Sequence, residues 1–326
     1  MHCIIPAAGR GTRMRPFTWS VPKPLLPVAG RPMLAHVMDS LLVAGVDHIT
    51  LIVGYLGEAV VAWARTAYPD IKVDFAVQEK ADGLASAVLL AEEFVDSSPC
   101  MVVLGDTLFS ADLSVLRGET RNMIVTAPVE DPSMFGVVVM ENGRVVRLVE
   151  KPSEPVSKLA IVGVYYFADG SRLMQYCRKL KEREIRTRGE FQLTDAMELM
   201  LQNGEPFGIL DIDGWYDCGN PVTLLETNRI LLESIGGGGS PLLENSVVIQ
   251  PCCFGEGTVI RNSVVGPFFS GGEGILIEDS RIRSTIAGAD SAFFFAVLNN
   301  TVAGERSFFR GSPAKCFIGD DSVAEI

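Results

Sequence analysis

The chain has 326 residues, long for one compact domain and suited to about two. Hydrophobic residues make up 48% and charged residues 21%, which provides for a core, and no apolar run reaches the ~18 residues of a membrane span. With 28 basic against 40 acidic side chains the net charge is −12, which disfavours general nucleic-acid binding but leaves room for a local basic pocket that takes a small anion. The seven cysteines are odd in number and contain no CxxC, so neither a disulfide framework nor a zinc site is indicated. Gly9 to Arg15 interrupts the first apolar stretch too early for a signal peptide. Scattered free thiols without an export signal suit a reducing cytoplasm.

Up to about residue 235 the pattern alternates. Short apolar runs at 2–5, 49–53, 101–104 and 123–127 read as buried strands. Helical periods at 32–44, 58–66 and 83–94 lie between them, which is the rhythm of a parallel sheet covered by helices. "FGVVVM-ENG-RVVRLVE" (135–150) has the turn chemistry of a hairpin. The strand "AIVGVYYF" (160–167) follows, then helical stretches near 172–181, 193–202 and 222–232. "GGGGS" (236–240) has the composition of a flexible linker or a wide turn.

Beyond it, β-prone residues alternate with Gly, Asn, Ser and Asp. "NSVV" at Asn245 returns at Asn262, and "DSRI" follows at Asp279, a spacing of 17 each time, with a looser echo "NTVAG" at Asn300. A recurring unit with small polar corners reads as the coil of a β-solenoid. It is degenerate, because "AFFFAVLNN" (292–300) is bulkier than a regular coil predicts. Phe293–295 and Phe308–309 suit either an interface or a core.

The chemistry gathers around loops. "PAAGRGTRMRPFT" (6–18) follows the first strand, at the carboxyl end where α/β sheets bind ligands. Residues 1–38 contain no Asp or Glu, while Arg10, Arg13, Arg15, Lys23 and Arg31 all fall there. Met14 stands where a dinucleotide fingerprint needs its third glycine, Pro16 interrupts the helix that should follow, and GxxxxGK[ST] is absent. What remains is a longer anion-binding loop from 9 to 23, or a surface loop with solvated arginines. Asp106 ends the strand "MVVLGD", and Asp217 lies in "GWYDCG". Each alone reads as a turn residue, whereas two together suit one Mg²⁺ and its phosphates. Glu150–Lys151 ends another strand, and Arg188 precedes a loop-to-helix junction in "TRGEFQLTDA".

"AAGRGTRMRPFT" followed by "PKPLLPV" resembles the signature of the sugar-1-phosphate nucleotidyltransferases. The resemblance continues in order through "QEKADGLASA", "LGDTLF", "FGVV", "VEKP", "VGVYYF", "RGEFQLTDA" and "GWYDCG", across about residues 1–232. Within the family it is nearest to the glucose-1-phosphate thymidylyltransferase type that carries a C-terminal left-handed β-helix. It implies an α/β, Rossmann-like (GT-A-like) mixed sheet in a catalytic domain at 1–235, a Gly-rich linker at 236–240 and a degenerate left-handed parallel β-helix at 241–326.

The resemblance also implies roles. Ala8, Gly9, Gly11, Thr12 and Arg13 match the loop around the nucleoside triphosphate, and Gln78 and Gly83 match readers of the pyrimidine edge. Lys23 matches a contact to the α-phosphoryl region, so Arg13, Lys23 and Asp106 form the catalytic set. Asp106 and Asp217 match the pair that holds Mg²⁺. Gly136, Glu150 and Val162 match the sugar pocket, with Thr107 in place of a common Asn, and Lys151 and Arg188 match holders of the sugar phosphate. The implied substrates are an NTP, dTTP first and UTP next, and a sugar-1-phosphate, glucose first and mannose or N-acetylglucosamine next. No nucleic acid or membrane is implied, and a homo-oligomer is.

Attack by an already anionic phosphate oxygen on the α-phosphorus needs no general base, which suits a chain whose three histidines end at His48. Positive charge and positioning supply such catalysis. Acyl transfer by the β-helix is disfavoured, because that chemistry wants a group poised near neutral pH and no histidine follows His48. A regulatory subunit that keeps the fold without activity is the non-enzymatic alternative, and release of pyrophosphate separates the two.

Overall fold

The computed structural model describes residues 1–311 and 317–325. The chain packs as two compact units, one formed by Met1–Gly9 with His36–Trp215, the other by Arg10–Ala35 with Tyr216–Ile326.

The first unit is a mixed α/β, Rossmann-like sheet of nine strands. They are β1 (His2–Pro6), β2 (His48–Val53), β3 (Lys72–Val77), β4 (Cys100–Val103), β5 (Asn122–Pro128), β6 (Gly136–Glu141), β7 (Arg144–Glu150), β8 (Leu159–Phe167) and β9 (Phe207–Asp211). The main order is β7-β6-β8-β4-β1-β2-β3, with β5 pairing β8 and β9 pairing β5. Strands β4, β1, β2 and β3 run parallel, which is why β1, β2 and β4 read as nearly unbroken apolar runs: both faces are covered. Strand β3 lies at the edge. Its alternating "KVDFAV" leaves Phe75 and Val77 half in solvent, and the run was too polar to stand out in the sequence.

Helices α1 (Met33–Val43), α2 (Gly57–Ala67), α4 (Gly170–Glu182) and α5 (Leu193–Gln202) match the periodic stretches. The stretch at 83–94 divides. Helix α3 (Leu84–Leu89) ends where the Leu90 N–H turns back to the Ala87 and Val88 carbonyls, and a 3₁₀ turn follows at Glu92–Phe94. The hairpin β6–β7 forms around Asn142 and Gly143, both left-handed, and Glu150 comes opposite Gly136.

The amino end of the parallel strands carries two stacked imidazoles. His2 and His48 lie 4.2 Å apart between ring centres, with planes 17° apart. His2 shares a hydrogen bond with Thr50, and His48 with Asp74, each at 2.8 Å. Burial, aided by His48 and Lys72, lowers the His2 pKa from 6.5 to about 4.

The second unit combines the segment that follows β1, helix α6 (Pro221–Ile235) and a parallel β-helix. One face of the β-helix stacks Leu242–Glu244, Val259–Arg261, Leu276–Glu278, Ala292–Phe294, Phe308–Arg310 and Val323–Glu325 in register. The steps are 17, 17, 16, 16 and 15 residues, read from Leu242↔Val259, Val259↔Leu276, Leu276↔Ala292, Ala292↔Phe308 and Phe308↔Val323. The shortening hides the repeat. Asn245, Asn262, Asp279 and Phe295 occupy one left-handed corner, so Phe295 continues the "NSVV" column where the motif is lost. Asn300 belongs to another corner, with Phe268 and Ser284.

Ile260, Ile277, Phe293 and Phe309 form a fully buried inner column, each contributing about 2 kcal/mol of burial. Phe294 and Phe308 face outward 5.5 Å apart, and Arg310 covers the exposed ring of Phe295. Within residues 236–240, Gly236 and Gly238 are hydrogen-bonded. Gly236 caps α6 in a left-handed conformation, and Gly238 pairs with Cys253, donating to the Cys252 carbonyl and accepting from the Phe254 N–H.

Asn228 of α6 joins the parts of this unit. It is 1% exposed, its Oδ1 accepts from the Ala29 N–H at 2.8 Å and the Ser270 hydroxyl at 2.7 Å, and its Nδ2 donates to the Phe268 carbonyl at 3.3 Å.

Two stability predictions follow from these groups. As the pH falls from about 6.5 toward 4 the unfolded chain protonates His2 and the folded chain resists, so stability is lost across that window. Melting temperatures against pH should decline less steeply for His2→Gln, and parallel curves would remove His2 as the cause. Asn228→Ala strips a buried donor and acceptor set and should cost about 2–4 kcal/mol in denaturant unfolding; a loss below ~0.5 kcal/mol would show that the network is dispensable.

Candidate active site

In the first unit the site residues collect at the carboxyl edge of the parallel strands. From β1 the chain winds to β2 and β3 on one side, then returns to β4 on the other. Such a reversal opens a crevice between the two loops at the switch point. Ala8 and Gly9 leave β1 there, and Gly105–Asp106 leaves β4 beside it, with the Gly105 N–H donating to the Pro6 carbonyl at 3.1 Å. A side chain at Gly105 would press on Ile5, Pro6 and Ala7 at 3.2, 3.3 and 3.4 Å, so glycine eases the close approach. Asp106 and Gly9 thus sit on neighbouring strand ends, with Asp106 half-buried and Gly9 exposed.

Gln78 follows β3 on the same edge, anchored by its N–H to the Val53 carbonyl at 2.8 Å, and its side-chain amide reaches the Gly83 carbonyl at 3.5 Å. Gly83 has φ +118°, and a Cβ there would lie 2.3 Å from the Phe191 carbonyl oxygen. The Phe191 N–H bonds to the Asp82 carbonyl and the Ala85 N–H bonds to that of Phe191, which ties the start of α3 to the segment before α5.

A second cluster forms around Glu150 at the end of β7. Its Oε2 accepts from the Thr194 hydroxyl at 2.8 Å, and its Oε1 lies 3.3 Å from Lys151 Nζ. Gly136 faces both acceptor and hydroxyl: a methyl there would meet Glu150 Oε2 and Thr194 Oγ1 at 2.9 Å each. Arg188 donates to the Lys151 carbonyl at 2.9 Å. Lys151 and Arg188 both hold left-handed backbones, φ 41° and 52°, an unfavourable state for long side chains that concentrates at ligand sites. Thr107 lies near Gly163, whose missing Cβ would fall 3.2 Å from the Thr107 hydroxyl. Val162 is 1% exposed, so this position offers backbone rather than side chain.

Thr194, which orients Glu150, was not singled out from the sequence. The only signal was its place in "QLTDA", where it read as an ordinary residue of a helix start. Asp195 beside it was missed as well. Its Oδ2 is buried with no hydrogen-bond partner, and burial raises its pKa, with Glu150 and Glu198 adding to the rise against a hydrogen bond from Thr187.

The second unit holds the rest of the predicted site. Gly11 is left-handed, φ +58°, and a Cβ would press on Thr18 and Lys23 at 2.9 and 3.1 Å. The Thr18 hydroxyl and the Met14 N–H both donate to the Gly11 carbonyl at 2.8 Å. Three 3₁₀ turns, Thr12–Met14, Phe17–Trp19 and Lys23–Leu25, shape the loop. Buried Met14 and Phe17 pin it, which leaves Thr12, Arg13 and Arg15 exposed. Arg13 and Asp217 come together here. Both Asp217 oxygens, at 2.8 and 3.3 Å, and Arg13 Cζ, at 3.5 Å, surround the point where Gly219 lacks a Cβ. The Gly219 N–H donates to Asp217 Oδ1 at 2.8 Å, and the Asp217 carbonyl accepts from Thr227 of α6 at 2.9 Å. Asp106 lies in the first unit and Asp217 in the second.

The geometry makes Gly83 the least replaceable glycine of the site. Gly83→Ala adds a left-handed alanine and a backbone clash, and should cost at least about 3 kcal/mol in denaturant unfolding. A variant as stable as the parent would show that this segment rearranges freely.

A family model described as nucleotidyl transferase matches residues 2–234. The chain is 36% identical over 251 residues to the bifunctional protein GlmU of Methanocaldococcus jannaschii, covering 77% of this chain and 59% of that protein. It is 31% identical over 242 residues to the UTP–glucose-1-phosphate uridylyltransferase AglF of Haloferax volcanii, covering 72% of this chain and 97% of that one. A Bacillus anthracis structure, described as a glucose-1-phosphate thymidylyltransferase in complex with sucrose, aligns with a TM-score of 0.61 at 30% identity, over 71% of this chain and 95% of its own. The chain belongs to the nucleotidyl transferase family.

Proposed function

We propose that the chain is an enzyme joining a sugar-1-phosphate to a nucleoside triphosphate, with glucose-1-phosphate and dTTP as the substrate pair. A phosphate oxygen of the sugar forms a bond to the α-phosphorus, the bond between the α-phosphorus and its bridging oxygen to the β-phosphate breaks, and pyrophosphate leaves. No proton must move, because the attacking oxygen is already anionic. The observation that carries the reading is the loop from 9 to 23, with Arg13 exposed beside Asp217 in a segment of 38 residues without a carboxylate.

Ala8, Gly9, Gly11, Thr12 and Arg13 take the triphosphate, with Arg13 facing the departing charge and Lys23 the α-phosphoryl group. Gln78 and Gly83 meet the base. Gly136, Glu150, Thr107 and the backbone of Val162 meet the sugar, and Lys151 and Arg188 its phosphate. Each well-placed cation is worth about 10²–10³ in rate, by analogy with oxyanion donors.

The donor set suits Mg²⁺, which prefers carboxylate oxygens. Asp106 and Asp217 would hold the ion, and it would supply charge neutralisation for the phosphates.

A UTP-dependent activity is the second reading, favoured by the likeness to the uridylyltransferase of Haloferax volcanii. Pyrophosphate release, measured with dTTP, UTP, CTP, GTP and ATP against glucose-, mannose- and N-acetylglucosamine-1-phosphate, decides between them. No release with any pair would overturn the enzymatic reading in favour of a silent regulatory subunit. Asp217→Asn should lower Mg²⁺-dependent turnover at least about tenfold, equal to ~1.4 kcal/mol, and near-parent activity would remove Asp217 from the ion's ligands.

A further inference from the structure

The second unit contains a cavity of about 310 Å³ that the proposed reaction does not use. That volume lies in the range of small-molecule sites. One wall is apolar, formed by Met14, Phe17, Leu25 and Leu26. The floor is backbone, because Gly255, Gly272, Gly288 and Gly304 line it and each abuts a neighbouring coil too closely for a side chain. Four acidic residues, Glu256, Glu273, Glu305 and Asp320, complete the lining, and no lysine or arginine does so among the described residues.

Asp320 is the feature that ordinary packing does not account for. Its Oδ1 accepts from the Glu305 N–H at 2.7 Å, but its Oδ2 is closed to solvent and has no hydrogen-bond partner. Buried polar atoms in folded chains are nearly always paired; because this oxygen is closed to solvent, a donor in the cavity reaches it only once the Asp320 side chain turns toward the lining. Burial raises the Asp320 pKa, with Glu305 and Asp321 adding to the rise and the Glu305 N–H and Arg306 opposing it. Glu305 has a neighbour in Arg306 at 2.9 Å, outside the lining. A bare metal ion does not suit the site, because among the described residues no three His, Cys, Asp or Glu side chains converge as ligands. A larger cation can span separated carboxylates and also cover the apolar wall.

We propose that this cavity binds an organic cation with an apolar body, of the arylalkylamine class. Its ammonium donates to Asp320 and faces Glu273 and Glu305, while its body lies against Met14, Phe17 and Leu25. The site is independent of the reaction proposed above and is tested by binding alone.

The probe is tryptamine, titrated calorimetrically into the full chain, with 3-indolepropionate as an anion of similar body. Tryptamine should bind below millimolar concentration and the anion should not. Asp320→Asn and Glu273→Gln should each weaken tryptamine at least fivefold. Ala289→Phe, which fills the cavity from its lining, should abolish binding. A thermal melt of each variant establishes that it folds, and the exposed Glu273→Gln serves if a buried change does not. Failure of tryptamine to bind the parent, equal binding of the anion, or unchanged binding in the folded variants would each overturn the proposal.

Discussion

The buried side chain of Asn228 ties three segments of the second unit together. One amide serves three parts of the chain: the turn at Ala29, the corner of the β-helix at Phe268, and the strand at Ser270. A buried amide left half-paired costs more than its bonds return, so the three segments can shift only together. The loop that carries Arg13 and Lys23 belongs to this unit. Buried Met14 and Phe17 continue the constraint into the loop, and the left-handed Gly11 closes it on Thr18 and Lys23. Pre-organised cations are effective because they need no reordering when charge moves.

Much of this was legible in the sequence, where a single physical rule dominates. Strands β1, β2 and β4 are buried on both faces, so an uninterrupted apolar run suffices to find them. Edge strand β3 follows no such rule, and its Lys72 and Asp74 look like loop residues until the ladder to β2 is seen. The β-helix was readable through its corners, since Asn and Asp tolerate a left-handed backbone better than other residues with side chains. Once the coil shortened from 17 to 16 residues, Phe295 took that corner and the signal vanished.

The site divides in the same way. Gly11, Gly83 and Gly136 stand where space or backbone sign admits little else; the loop composition marked Gly11, and only the family resemblance marked Gly83 and Gly136. Thr194 is different: its role is one hydroxyl bond to a carboxylate 44 positions earlier, and no local pattern encodes that distance. Asn228 was hidden for a similar reason, since an asparagine within an amphipathic helix has no periodic signature of its partners. Pairwise polar contacts between remote segments are what sequence reading loses first.

The distribution of charge joins the two halves of the argument. A chain of net charge −12 repels a nucleotide at long range, yet salt screens that field beyond about 8 Å at physiological ionic strength. Inside that distance only local charge matters, and the first 38 residues present arginines and lysine without a competing carboxylate. One acid does approach this loop, Asp217 near Arg13, and its Oδ1 already accepts from the Gly219 N–H. An aspartate in that position weakens anion binding unless a cation offsets it. Arg13 offsets part of that charge, and a divalent ion held by Asp217, as proposed above, would offset the rest.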